Sequence, residues 1–242
     1  MTAPAPSSEH PAASFQVGRY AVARGVLSPE TVALATRYAV LGADLGPRRG
    51  DSQVRESHAR YGDPLMESLL DQLWPRVETL AGVELWPTYA YHRVYYPGAN
   101  LALHRDRPSC EISASLCLGF EYHGVAPDYR WPLQMQTEGR TLDLALEPGD
   151  LVLYEGCLLP HARPRFEAGP ESFHAQVFLH FVRRDGRFAI CKFDGRPRLG
   201  LPAQSADPTL EQRILELERE VLGDVSAARS AAGSATNGSA GT

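Results

Sequence analysis

From Leu85 to Arg183 the chain runs as short aromatic and β-branched stretches broken by Gly and Pro. That texture restricts the fold more than any other feature. Strands are predicted at about 87–96, 101–104, 111–119, 131–136, 141–145, 150–154, 157–161 and 173–183, separated by turn signals such as Pro97-Gly98 and Pro148-Gly149-Asp150. Several short strands at even spacing point to a β-sandwich or barrel. Helices flank this region. Ser28-Pro29-Glu30 opens one, with Ser as N-cap, Pro at the first helical position and an acid in the first turn. It is predicted to run to about Leu41, with Gly42 suited to its end. Asp63-Pro64 opens a second, whose Leu65, Met66, Leu69, Leu70, Leu73, Val77 and Leu80 form one apolar stripe. Pro75 is expected to kink it and Gly82 to end it. Asp207-Pro208 opens a last helix, to about Leu222.

The predicted organisation is mainly β with flanking helices. Residues 1–14 read as a disordered Pro/Ala/Ser-rich tail. Residues 15–86 read as a helical N-terminal part, with a short strand within 15–27. Residues 87–200 form the β core, 201–224 carry the C-terminal helix, and 225–242 are an Ala/Gly/Ser-rich disordered tail. Residues 43–62 are polar and turn-rich and read as a loop, either flanking a pocket or serving as a solvated connection. Beyond Arg183 the chain reads as irregular, with at most one strand.

With 242 residues the chain suffices for one ordinary domain with a sizeable core. A net charge of −5 gives no reason to expect nucleic acid or an anionic membrane as partner. No window approaches the ~20 apolar residues of a membrane span, and the N-terminus lacks the basic start and apolar run of a secretory signal. The cysteines, Cys110, Cys117, Cys157 and Cys191, show no CxxC spacing, so reduced thiols and a cytoplasmic location are expected. Lys192 is the only lysine, which suggests a G+C-rich bacterial genome.

Chemistry concentrates in two segments. In Tyr95-Tyr96-Pro97-Gly98-Ala99-Asn100-Leu101-Ala102-Leu103-His104-Arg105-Asp106, a His and a carboxylate two residues apart on extended backbone point to the same side. Alone, such a pair reads as a surface His and Asp on a loop. The second segment, Glu147 to His161, carries a Pro-Gly-Asp turn, an apolar strand and a His preceded by Pro. The 57-position separation of the two histidines leaves room for the strands a barrel needs to bring His104 and His161 side by side. Two His and one carboxylate with open positions make the ligand set of non-haem Fe(II) oxygenases.

The order Tyr-x-x-Gly-x-x-Leu-x-x-His-x-Asp, Pro-Gly-Asp-apolar, Pro-His resembles the 2-oxoglutarate/Fe(II)-dependent dioxygenases, in their prolyl 4-hydroxylase-like branch, over residues 88–183. The resemblance implies a double-stranded β-helix (jelly roll, cupin-like) backed by α-helices. It implies His104, Asp106 and His161 as iron ligands, Tyr95 as a co-substrate contact, and Fe(II), 2-oxoglutarate and O2 as cofactor and co-substrates. The retained Asp106 argues against halogenation. The family's basic anchor for the far carboxylate of 2-oxoglutarate belongs on the strand after the distal His. There this chain departs, with Phe173-His174-Ala175-Gln176-Val177-Phe178-Leu179-His180-Phe181. Arg163 is the better chemical match, because a guanidinium fork suits a carboxylate. His174 is the second choice and Arg165 the third. Gln176 and His180 share His174's face and are placed as pocket-lining residues, or His180 partners a buried polar group.

Among the neighbours, Tyr91, Arg93 and Gln134 face the pocket if strand parity holds. Arg107 and Glu111 either brace each other or leave Arg107 free for substrate. Trp131, Cys110 and Cys117 read as core. The function implied is hydroxylation of an unactivated C–H of a small molecule, such as an amino acid or natural-product intermediate. The alternatives are a protein side-chain hydroxylase and a cupin-like jelly roll that binds metal or ligand without oxidation.

Overall fold

Two antiparallel sheets face each other across a narrow interior. The structure, a computed structural model, describes residues 11–44, 50–137 and 139–235, with side chains over 15–221. The strands are β1 (Tyr20–Ala23), β2 (Ser57–Tyr61), β3 (Leu85–Tyr95), β4 (Leu101–His104), β5 (Ile112–Glu121), β6 (Leu133–Thr137), β7 (Arg140–Leu144), β8 (Leu151–Tyr154), β9 (His161–Arg163) and β10 (Phe173–Arg183). The larger sheet has the order β1-β8-β5-β10-β3-β2 and the smaller β4-β9-β6-β7. This is the double-stranded β-helix that the motif order implied.

The period-two alternation of the long strands sorts their residues into two environments. Ala90 and Val94 of β3, Ala114, Leu116 and Leu118 of β5, and Ala175, Val177 and Leu179 of β10 face outward into one apolar core. Two helices cover that face: α2 (Pro29–Asp44), through Val32, Ala35 and Ala39, and α3 (Pro64–Ala81), through Met66, Leu70 and Val77. The opposite parity carries Tyr91, Arg93, Tyr95, Ser113, Ser115, His174, Gln176, Phe178 and His180. A barrel interior this polar is unusual for packing alone, and it is where the chemistry sits.

The caps work as the residue types dictate. Asp63 accepts from the Leu65 and Met66 amides at 3.0 and 3.4 Å, and Gly82 closes α3 in the left-handed region at φ 68°. The helix continues through Pro75 to Ala81.

Several expectations are corrected. Helix α2 extends past Gly42 to Asp44. Residues 57–61, read as loop, form β2 on the edge of the larger sheet, in register with β3 from Ser57↔Tyr95 to Tyr61↔Tyr91. Their mixed SHARY pattern carries no apolar alternation, and pairing with β3 makes them a strand. Residues 157–160 are a turn, closed by the Leu158 and Leu159 amides on Glu155 O, and the strand begins only at His161. Pro160, which has no amide to donate, suits that boundary. Beyond Arg183 the described residues hold 3-10 turns at Ala189–Gly195 and Ala203–Ser205 and no strand.

At the N-terminus, α1 (Pro11–Gly18) covers the end of the segment read as tail and the start of the predicted strand region, and β1 follows it. Residues 1–10 lie outside the described residues. The last helix, α4 (Pro208–Ala235), continues beyond Leu222 through an Ala-rich stretch of high helix propensity. Residues 236–242 lie outside the description.

Candidate metal centre and its surroundings

Strands β4 and β9 are neighbours in the smaller sheet, and their register sets His104 directly opposite His161. Asp106 follows two residues after His104, its amide bonded to Gly156 O at 2.9 Å. His104, Asp106 and His161 each offer a ligand atom, all within 4.8 Å of one another. The Nε2 atoms of His104 and His161 lie 3.6 and 3.4 Å from Asp106 Oδ1. Each imidazole donates Nδ1–H to a backbone carbonyl two residues earlier, Ala102 O and Leu159 O, both at 2.9 Å. Those bonds fix the tautomer and turn the Nε2 lone pairs toward the carboxylate. The donor set and its orientation fit a single divalent metal with open positions.

The carboxylate is also held from behind. Ser113 Oγ donates to Asp106 Oδ2 at 2.8 Å and lies 3.0 Å from His180 Nδ1. Burial raises the affinity of Asp106 for a proton, but His161, His180 and His104 outweigh it and hold the carboxyl well below its usual range. Burial and the neighbouring His161 push His104 down. Burial pushes His161 down too, but Asp106 more than reverses it, so this imidazole titrates above its ordinary value.

A cavity of about 490 Å³ opens beside the three residues. Its walls include the aromatic Tyr89, Tyr91 and Phe178, the guanidiniums of Arg93, Arg105 and Arg107, and Asp51 and Gln53 from the segment between α2 and β2. Arg93 is buried, and its partner is the Asp51 carboxylate, which also takes the Tyr91 hydroxyl at 2.5 Å. His180 lines the cavity and also partners Ser113, so both roles weighed for it coexist.

Arg163 lies deeper, 2 % exposed, one inward step along β9 from His161. It donates to Gln176 Oε1 at 2.9 Å and Trp131 O at 3.2 Å, and its Nε has no partner. The rings of Trp131 and Tyr95 flank it at 4.7 and 5.7 Å. No carboxylate among the described residues pairs with it, which leaves a buried cation without a counter-ion. His174 shares Gln176 with it, Nε2 to Oε1 at 2.8 Å, and Gln176 Nε2 donates to Ser115 Oγ at 2.5 Å. Burial and the Arg163 charge push His174 well below its ordinary value, so it stands neutral. Arg163, His174, Gln176 and Tyr95 thus form one buried polar layer behind the cavity.

Other expectations do not survive. Arg165 shares the parity of His161 and Arg163, but β9 ends at Arg163, and beyond the strand Arg165 is exposed beside the Gly98 turn. Gln134 faces away from the cavity and donates to Asp143 Oδ1 across the β6–β7 hairpin. Arg107 and Glu111 do not brace each other. Arg107 pairs with Asp194 and Glu218, both at 2.7 Å, while Glu111 pairs with Arg183 at 2.5 Å. Sequence reasoning missed Asp51, Tyr89, Ser113 and Gly156. None carries a motif, and each acquires its place only through contacts with distant segments.

No protein-family model matches the chain, and no curated protein matches it. Solved structures do. A Pseudomonas putida prolyl-4-hydroxylase superposes with a TM-score of 0.57 at 19% identity, over 72% of this chain and 97% of that one. The non-haem α-ketoglutarate-dependent epimerase SnoN from nogalamycin biosynthesis gives 0.59 at 17% identity, over 81% and 90%. HygX from Streptomyces hygroscopicus, solved with nickel, 2-oxoglutarate and hygromycin B bound, gives 0.53 at 14% identity, over 71% and 85%. The chain has the fold of the 2-oxoglutarate/Fe(II) oxygenases. At these identities the likeness establishes architecture, and the chemistry rests on the residues themselves. Among the described residues, no helix is long and apolar enough to cross a membrane.

Proposed function

We propose that the protein is an Fe(II)- and 2-oxoglutarate-dependent oxygenase that hydroxylates a C–H bond of a small molecule. The observation that carries this reading is the convergence of His104 Nε2, His161 Nε2 and Asp106 Oδ1 at the rim of a cavity, with both Nδ1 atoms already committed to backbone carbonyls. These three residues would hold Fe(II). When bound, the metal and 2-oxoglutarate supply O2 activation coupled to oxidative decarboxylation, which gives succinate, CO2 and a hydroxylated product.

The chain's own residues bind, orient and exclude water. Ser113 keeps Asp106 aimed with one oxygen toward the metal position. Arg163 is the proposed anchor for the far carboxylate of 2-oxoglutarate, since a buried guanidinium without a counter-ion gains most from an anion. Gln176, itself bonded to His174, and the Trp131 carbonyl hold that guanidinium in place, and the Tyr95 ring walls its far side. Tyr89, Tyr91 and Phe178 provide the apolar surface against which a small substrate packs.

The test is spectroscopic. Fe(II) and 2-oxoglutarate are added without oxygen, and the weak visible charge-transfer band of the chelate is sought. The band is expected in the native protein, absent in His104→Ala, and shifted to much higher 2-oxoglutarate concentration in Arg163→Gln. Iron binding without a band would point to a cupin-like metal role instead. No iron binding would end the two-His-one-carboxylate reading. A small-molecule substrate also suits a cavity of about 490 Å³ lined by residues of β3, β10 and the segment around Asp51, whereas a peptide needs a long open groove.

A further inference from the structure

Arg93 is built as an anion receptor, and the anion it holds comes from the protein's own loop. Its side chain is 2 % exposed and lines the same cavity as the metal ligands. The Tyr91 and Tyr95 rings sandwich the guanidinium at 5.3 and 5.4 Å, and its Nε has no partner. Nη1 donates to Tyr95 Oη at 3.3 Å, and Nη2 reaches Asp51 Oδ2 and, at 3.4 Å, Gln53 Oε1.

The local turn at Asp51 does not depend on Arg93. The other oxygen of Asp51, Oδ1, accepts the Gln53 and Val54 amides at 2.9 and 2.8 Å. Among the described residues lining the cavity, Asp51 is the one carboxylate outside the metal centre, and of the three guanidiniums Arg107 is already paired with Asp194 and Glu218. A cavity in which a buried guanidinium is freed when Asp51 gives way, beside aromatic walls, selects an acid with a flat or apolar body.

We propose that Arg93 receives the carboxylate of the primary substrate, and that Asp51 occupies that place until the substrate displaces it. Resting on the oxygenase reading above, this narrows the substrate class to small organic acids whose body packs on Tyr89, Tyr91 and Phe178. Removing Asp51 then frees the receptor, because a competitor that fills a site most of the time lowers apparent affinity by the fraction left open.

The experiment is calorimetric titration of the full chain, loaded with Fe(II) and saturating 2-oxoglutarate without oxygen, with 3-phenylpropanoate and its uncharged analogue 3-phenylpropanamide. The acid is expected to bind more tightly than the amide. Asp51→Asn should tighten the acid by about tenfold and leave the amide unchanged. Arg93→Gln should weaken the acid by about 30-fold or more, to the level of the amide, with no change in the 2-oxoglutarate midpoint of the chelate band. Should Arg93→Gln misfold, Asp51→Asn alone carries the test. The proposal is overturned if Asp51→Asn binds acid and amide equally or binds neither. It is also overturned if Arg93→Gln shifts the 2-oxoglutarate midpoint, which would assign Arg93 to the co-substrate. Absence of the chelate band in the native protein would sink the oxygenase reading instead. The same titration on metal-free protein would then still read Arg93 and Asp51.

Discussion

At Gly156 a side chain has no room: an added Cβ would collide with Asp106 Oδ2 and Cys110 O and lie 2.8 Å from Ser113 Oγ. The glycine matters here through close approach, since the turn it occupies passes directly over the Asp106 carboxylate of the candidate metal centre. Gly156→Ala is expected to push Asp106 out of line and weaken Fe(II) or Mn(II) binding by more than about tenfold. Titration of the metal against circular dichroism separates this from misfolding. Ser113→Ala removes the bond that selects which oxygen of Asp106 faces the metal. A loss of metal affinity of about 10- to 100-fold is expected, with the fold intact. An unchanged dissociation constant in Ser113→Ala would show that the backbone alone aims the carboxylate.

At the scale of elements, helix α2 is seated on the larger sheet through one close contact. A Cβ at Gly119 of β5 would stand 2.8 Å from both Thr36 Cγ2 and Thr36 Oγ1. Thr36 Oγ1 meanwhile donates within 2.7 Å of Leu118 O and 2.8 Å of Val32 O, stitching helix to strand. Gly119→Ala is expected to cost about 1–3 kcal/mol through overpacking. Thr36→Ala destabilises on its own by losing that link, yet in the Gly119→Ala background it relieves the clash. The double-mutant cycle in urea should therefore show coupling of favourable sign, and strict additivity would refute the contact.

The elements were unequally legible. The apolar stripe of α3 and its Asp63 cap, and the runs at β3, β5 and β10, carry strong local signals. Strand β2 does not, because Ser57–Tyr61 has no alternation and owes its strand state to β3. The turn at 156–160 was read as strand because Cys157-Leu158-Leu159 is apolar, although Gly156 and Pro160 bound it on either side.

Across the whole molecule, one buried ion pair ties the C-terminal segment to the barrel. Arg196 and Glu67 are 0 and 1% exposed and 2.7 Å apart, and the same guanidinium donates to Thr88 O and Leu201 O at 2.9 and 2.7 Å. Arg196→Ala strands a buried carboxylate and two carbonyls, with an expected loss of about 3–5 kcal/mol. A denaturation midpoint within experimental error of the native protein would refute this.

The buried histidines set a global pH response. Burial, against the pull of Asp63 and with help from His58 and Arg60, pushes His92 down to about 4. Burial and Arg163 push His174 well below its ordinary value. Below pH 6.5 the unfolded chain binds protons at these positions and the folded one does not, down to about pH 4 for His92, so stability falls as pH falls. Each contributes a slope of up to about 1.4 kcal/mol per pH unit in that window. Urea unfolding at stepped pH should show this slope, and His92→Leu should flatten it. A slope unchanged in that variant would mean His92 titrates normally in the fold.

What the sequence by itself determined is local or periodic in origin. The HxD spacing, the Pro-Gly-Asp turn, the cap residues and the alternation of the long strands each follow from backbone geometry within a few residues. They sufficed for a β-sandwich or barrel and for setting His104, Asp106 and His161 apart as candidates, while the double-stranded β-helix was implied by the resemblance of the motif order to the 2-oxoglutarate/Fe(II)-dependent dioxygenases. Tertiary structure decided which charges meet. Only the register of β4 against β9 sets the two histidines opposite each other. Only the placement of the segment before β2 brings Asp51 to Arg93, and only the closing of the barrel leaves Arg163 without a carboxylate. Electrostatic partnership depends on distance through space, and residues forty or more positions apart carry no mark of it along the chain.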